Sequence, residues 1–223
     1  MSLAIAFATA HGVVLSADRC ICTTLESGKS FMQTRTERKL FLSEDNCGFT
    51  YTGDANFEEK PTSFWMERFI SRYALLSLRP DAFVKKLCIA FHQLDSDKNV
   101  VIIGAGYSDG LPQVYSCGSQ SMVMVNHLAK ETTGIIFSGE NALARNVIDM
   151  VPIQKQSFTV PDAIEFVKHV TLTVSNIQRF GQVPVTVSPD CDILAVLPND
   201  ARWVIPPVSL GWHYEPDHAL PSE

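Results

Sequence analysis

Leu3, Ile5 and Phe7 alternate with Ser2, Ala4, Ala6 and Ala8, a period of two that predicts a half-buried strand. Its second face is uniformly small, which predicts a closely packed neighbour. Thr9-Ala10-His11-Gly12 reads as a turn, and Val13 to Asp18 as the returning strand. A polar, β-rich stretch runs on to Thr36, and Lys39–Ser43 with Gly48–Thr52 predicts a second hairpin around Glu44-Asp45-Asn46. From Asn56 the period changes. Phe64, Trp65, Phe69, Tyr73 and Leu76 form a helical stripe behind Pro61. Leu78-Arg79-Pro80-Asp81 breaks that stripe, and Asp81 is placed to cap a second helix carrying Phe83, Leu87, Phe91 and Leu94. Strands are then predicted at 100–105, 113–117, 121–125 and 134–137, helices at 141–150 and 161–177, and a closing strand at 192–197.

Runs of strands separated by pairs of helices predict an α+β fold of two sheets packed face to face with helices outside, not a βαβ array. One domain over 1–200 is expected, followed by a C-terminal arm or tail over 201–223 marked by Pro206, Pro207 and Pro216. Val100-Val101-Ile102-Ile103-Gly104-Ala105-Gly106 resembles the start of a dinucleotide-binding fingerprint. That chemistry needs a helix to begin at the glycines, and here Ser108-Asp109-Gly110-Leu111-Pro112 supplies a turn and a further strand instead.

Composition narrows the picture. At 223 residues with 46% apolar residues, the chain is long enough for one sizeable core and too apolar for disorder. A net charge of -6, a pI near 5.5 and no run of Lys or Arg argue against nucleic-acid binding. No apolar run approaches the roughly 18–20 residues of a membrane helix. The opening MSLAIAFATAHG lacks a basic region, so it reads as a cytoplasmic start and not a secretory signal. Six cysteines, at 20, 22, 47, 88, 117 and 191, match neither a zinc pattern nor a disulfide framework. Cys20-x-Cys22 places two thiols on one strand face and reads as core packing. No HExxH or close histidine grouping occurs, and His213 and His218 fall in the Pro-rich tail, read as a surface strap. The expectation is a reduced protein without metal or cofactor.

The candidate chemistry starts at Met1-Ser2. Removal of Met1 would leave Ser2 carrying a hydroxyl nucleophile and, in its α-amine, a base with an ordinary pKa of about 7.7–8.0. With residues 9–12 as the turn, paired positions sum to roughly 21, which sets Ser2 opposite Arg19 and beside Asp18. A carboxylate turned into a layer needs a cation, and Lys39 at the head of the next apolar strand is the candidate. A surface Asp and a strand-flanking Lys fit the same spacing.

Ser2-Leu-Ala-Ile-Ala-Phe followed by His11-Gly-Val-Val-Leu-Ser-Ala-Asp18-Arg19 resembles the opening of proteasome β-type subunits and their bacterial relatives. Arg38-Lys39-Leu40-Phe41 is similar to the segment holding that family's lysine, and Thr52-Gly53-Asp54-Ala55 to its glycine loop. Ile103-Gly104-Ala105-Gly106-Tyr107 through Tyr115 resembles its central hairpin, and Phe137-Ser138-Gly139 its Gly-Ser-Gly turn. Ser175-Asn176-Ile-Gln-Arg-Phe180-Gly181, with Asp192-Ile-Leu, is similar to a segment of the bacterial proteasome-like group called Anbu. The resemblance spans roughly residues 2–197. It implies a four-layer αββα sandwich of two antiparallel sheets and N-terminal nucleophile hydrolysis of peptide or amide bonds. It also implies a peptide or protein substrate and a homo-oligomeric ring or helical assembly. Carried over, Ser2 attacks, Asp18 and Lys39 tune it, the Gly53 amide serves an oxyanion hole, and Ser138 and Asn176 sit near the amine. Ser replaces the commoner Thr, Asn176 stands where Asp is usual, and Arg179 where a small Ser is usual. A catalytically inactive subunit with an assembly or interaction role is the alternative.

Overall fold

The computed structural model describes residues 2–24, 30–34, 36–74, 76, 78–128, 132–150, 154–181 and 183–207. The chain begins with β1 (Leu3–Thr9), β2 (Gly12–Asp18), β3 (Ile21–Thr24), β4 (Ser30–Thr34), β5 (Leu40–Leu42) and β6 (Gly48–Gly53). Two short strands, β7 (Asn56–Phe57) and β8 (Lys60–Pro61), lead into α1 (Thr62–Ala74) and α2 (Pro80–Leu94). The middle holds β9 (Val100–Ser108), β10 (Leu111–Gly118), β11 (Met124–Asn126) and β12 (Gly134–Gly139). Then come α3 (Asn141–Asp149), α4 (Val160–Phe180), β13 (Cys191–Leu197) and β14 (Asp200–Ile205). One sheet has the order β12-β1-β2-β13-β14 and the other β11-β10-β9-β6-β5, all antiparallel. β3-β4 and β7-β8 are separate two-stranded ribbons.

The alternation along β1 sorts the layers. Leu3, Ile5 and Phe7, with Val14, pack against Ala144 and Val147 of α3 and Val167, Val170 and Val174 of α4. Ala4, Ala6 and Ala8 face the other way and, with Leu15, meet Leu40, Ile103, Ala105 and Val114 of the second sheet. The small face is therefore what lets the two sheets approach. On the far side, Phe49 and Tyr51 of β6 join Trp65, Met66 and Phe69 of α1 and Phe83, Leu87 and Phe91 of α2 in an aromatic-rich layer. Fully burying one such large side chain contributes about 1.5–3 kcal/mol. The result is the expected four-layer αββα sandwich, with Gly104 and Gly106 lying inside β9 and no helix starting there.

Three local expectations are corrected. Asp81 does not cap α2. The backbone before a proline is pushed out of the helical region, so Arg79 is the extended cap residue and Pro80 opens the helix. The strand expected at 121–125 is instead Met124–Asn126, because Met122 takes a left-handed φ of 53° and closes a turn onto the Gly118 carbonyl at 2.8 Å. The arm or tail expected from residue 201 starts inside edge strand β14, whose residues 200–205 pair with β13 through Leu194–Trp203 and Leu197–Asp200. Its two faces alternate between exposed and half-buried, which weakens the apolar signal. The rest of the tail from 208, with Pro216, His213 and His218, lies outside the described residues, as does Met1.

Candidate active site

The β1–β2 register, with Ala4 opposite Ala17, brings Ser2 alongside the Asp18 end of β2. Asp18 is fully buried and its carboxylate is saturated with donors. Oδ1 accepts from Leu3 N at 2.8 Å and Lys39 Nζ at 3.0 Å, and Oδ2 from Cys20 N at 2.9 Å and Ser188 N at 3.2 Å. Lys39, just ahead of β5 and equally buried, also donates to the Cys20 carbonyl. This is the arrangement that lets a buried ion pair persist, since charge is met by charge and the remaining lone pairs by backbone amides.

Ser2, Cys20, Cys22, Lys39, Tyr51 and Gly53 line one small open pocket above this pair. Ser2 is buried, and its carbonyl accepts from Glu140 N at 2.7 Å, which ties the chain start to the end of β12. Gly139 makes that approach possible. Its φ is +100°, and a Cβ there would lie 1.8 Å from the Ser2 carbonyl oxygen. Gly53 has φ +123°, and a Cβ would sit 2.2 Å from the Asn99 carbonyl. Asp54 N donates to that same carbonyl at 2.9 Å and Asp54 Oδ2 accepts from Asn99 N at 2.7 Å, so the glycine loop is braced on both sides. Burial first, and then the adjacent Glu37 carboxylate, hold the Tyr51 phenol well above its ordinary pKa. It stays protonated and donates to Glu37 Oε1 at 3.2 Å.

Ser138 lies on β12, where it pairs with Ala4. Its Oγ shares a hydrogen bond with Thr52 Oγ1 at 2.6 Å, a polar link between the two sheets. Asn176 is placed differently. It is half-buried on α4, and among the described residues no hydrogen bond joins its side chain to Ser2, Ser138 or Asp18. Two residues on, Gln178 is buried and does connect. Its Nε2 donates to Thr186 Oγ1 at 2.8 Å and Glu140 Oε2 at 3.2 Å, and its Oε1 accepts from the amides of Thr186 and Val187 at 2.9 Å each. Gln178 thus clamps the loop whose next residue, Ser188, reaches Asp18. Arg19 adds a second tie, with Nε 2.6 Å from Asp192 Oδ1 and Nη2 donating to the Pro206 carbonyl at 3.0 Å. Burial still leaves the Asp192 carboxyl above its usual range despite that guanidinium.

No protein-family model and no curated protein sequence matches the chain. Among solved structures, it superimposes on the Gly-1 mutant of Anbu from Hyphomicrobium sp. strain MC1 with a TM-score of 0.62. The match covers 92% of this chain and 87% of that one, at 14% sequence identity. The chain has the Anbu fold. At that identity what the chain shares with Anbu is backbone architecture, and the site around Ser2 stands on its own geometry.

Of the six residues singled out from the sequence, Ser2, Lys39 and Gly53 share the pocket, Asp18 is paired with Lys39, and Ser138 is hydrogen-bonded to Thr52, next to Gly53, while Asn176 is not joined to them. Tyr51 and Gln178 were missed. Tyr51 precedes Gly53 by the strand period of two, and Gln178 extends the buried 171–174–175 stripe of α4, so both carried a periodic signal. Among the described residues no helix is long and apolar enough to cross a membrane.

Proposed function

We propose that the chain is a proteasome-like N-terminal serine hydrolase that acts on peptide or amide bonds in the cytoplasm, within a homo-oligomeric assembly. Removal of Met1 frees the α-amine of Ser2. The amine takes the hydroxyl proton as Oγ attacks the substrate carbonyl, and the tetrahedral oxyanion forms against the Gly53 amide. Collapse expels the amine product, which carries away the proton, and water then releases the acyl group from Ser2 by the reverse sequence. One donor at the oxyanion is worth about 2.7–4 kcal/mol of barrier, so the braced Gly53 loop matters as geometry. The observation that carries the reading is the Lys39–Asp18 pair buried directly under the Ser2 pocket. Two of the three Lys39 donors are held by Asp18 and Cys20, leaving one for the pocket. An ammonium fixed there favours the alkoxide of Ser2 and the neutral form of a neighbouring amine.

The alternative, an inactive assembly subunit, is favoured by Asn176 on α4, an amide where the resembled peptidases usually carry Asp, and by Arg179 three residues later where a small Ser is usual. Intact mass of the untagged protein before and after a β-lactone acylating probe separates the two. Loss of Met1 and one covalent adduct mapped to Ser2, abolished in Ser2→Ala at unchanged stability, supports the hydrolase. Retention of Met1 without an adduct leaves Ser2 with no base and establishes the inactive subunit.

A further inference from the structure

We propose that Cys20 and Cys22 form a reversible modification site, a dithiol that a low-molecular-weight disulfide oxidises to an intramolecular disulfide at the mouth of the Ser2 pocket. The two Sγ atoms lie 3.1 Å apart. A covalent S–S bond is about 2.05 Å, so closure requires the sulfurs to approach by roughly 1 Å. The backbone is already irregular at this point: Cys20 precedes β3, and the β3–β4 register shifts between Ile21 and Cys22. Both residues line the open pocket, and of the six cysteines Cys22 is the one that is not buried.

Electrostatics agree with this geometry. The hydrogen bond shared between the two thiols brings the Cys22 thiol down to about 7 against the opposing effect of burial. The same bond, together with burial, holds Cys20 protonated. Cys22, the more exposed of the two, is thus the attacking sulfur and the buried Cys20 the resolving one. The Cys22 thiolate attacks one sulfur of the small disulfide RSSR, forming Cys22–S–SR and expelling RS−. Cys20 gives up its proton and attacks Cys22 Sγ, expelling the second RS−. Two protein thiols lose two electrons, one small disulfide gains them, and the two released protons balance the two thiolates. The small ring closed across a single intervening residue makes the product easily reduced again.

The consequence for the pocket is direct, because the Cys20 main chain carries the carbonyl that accepts from Lys39 and the amide that donates to Asp18. The proposal itself does not depend on hydrolysis by Ser2. An internal control is built in: Cys88 and Cys117 are also close to one another, yet both are buried in the layer under α2.

The test is oxidation of the native full chain by glutathione disulfide, acid quenching, alkylation of the remaining thiols and mass spectrometry. Residues 20–29 form a single tryptic peptide between Arg19 and Lys29, so the disulfide appears there as the loss of two hydrogens. The expected result is that two of the six cysteines lose alkylation, both in that peptide, with full recovery on adding a dithiol. Cys20→Ser stops at the glutathione adduct on Cys22, and Cys22→Ser leaves this peptide unreacted. Wild-type protein that stays fully alkylatable, that halts at a stable glutathione adduct, or whose disulfide maps to Cys88 and Cys117 overturns the proposal.

Discussion

At the scale of single residues, Lys39 is the side chain with most at stake. Removing its ammonium leaves Asp18 as a carboxylate with amide donors and no counter-charge, fully enclosed. Breaking a buried pair from one side costs about 3–5 kcal/mol, so Lys39→Met is expected to lower the urea midpoint by a corresponding amount. In protein that remains folded, the same change is expected to remove β-lactone acylation of Ser2; an unchanged acylation rate would take Lys39 out of the mechanism. Whereas the spacing of Lys39 fitted a surface position equally well, the placing of Ser2 beside Asp18 was legible in advance because a hairpin register is simple arithmetic once its turn is placed. Which amide-bearing residue of α4 turns inward was not. Asn176 carried the motif, whereas Gln178 carried the burial, and only the helix phase against β1 and β12 separates them.

At the scale of elements, α4 shows how a helix this long is started. Thr159 caps it by accepting from Asp162 N, while the Asp162 carboxylate accepts from the Thr159 hydroxyl and amide. Those bonds, first from the hydroxyl and then from the amide, draw the Asp162 carboxyl below its ordinary value of 3.8. The folded state therefore binds this proton less readily than the unfolded chain. Its stabilisation is full above 3.8 and is lost as pH falls through the lower folded value. Asp162→Asn is accordingly expected to lower Tm at neutral pH, with the gap from wild type narrowing in acid. Thr159→Ala is expected to cost about 0.5–2 kcal/mol by denaturant unfolding at neutral pH. The helices were readable from their apolar stripes because each packs one face. β14 was not, since an edge strand with one face in water and Pro206-Pro207 behind it reads as a tail. Nor could the sequence bring Cys20 and Cys22 to the pocket, because that depends on where the β3–β4 ribbon sits over Lys39.

At the scale of the whole molecule, the two sheets share one core through Ala4, Ala6 and Ala8. Ala6 is completely enclosed, so Ala6→Leu must push the layers apart and is expected to cost about 1–3 kcal/mol. Trp65 reports on the second sheet's helical layer and Trp203 on the first sheet's edge. In single-tryptophan variants both fluorescence transitions are expected to move together; a shift in one alone would mean that the layers unfold independently. The antiparallel layering was foreseeable from the alternation of large and small residues in β1. The pairing of β1 with β12, more than a hundred positions away, rests on Gly139 and the Ser2 carbonyl, and no local pattern announces it.

The carboxylate of Asp18 gathers Leu3, Cys20, Lys39 and Ser188, and the last of these is 170 positions further along the chain. A ribosome that has made only the first half of the protein has therefore already released Ser2 into the cell, yet not the segment that finishes its surroundings. Whatever Ser2 does, a nascent chain carries the residue before it carries the segment that completes its environment.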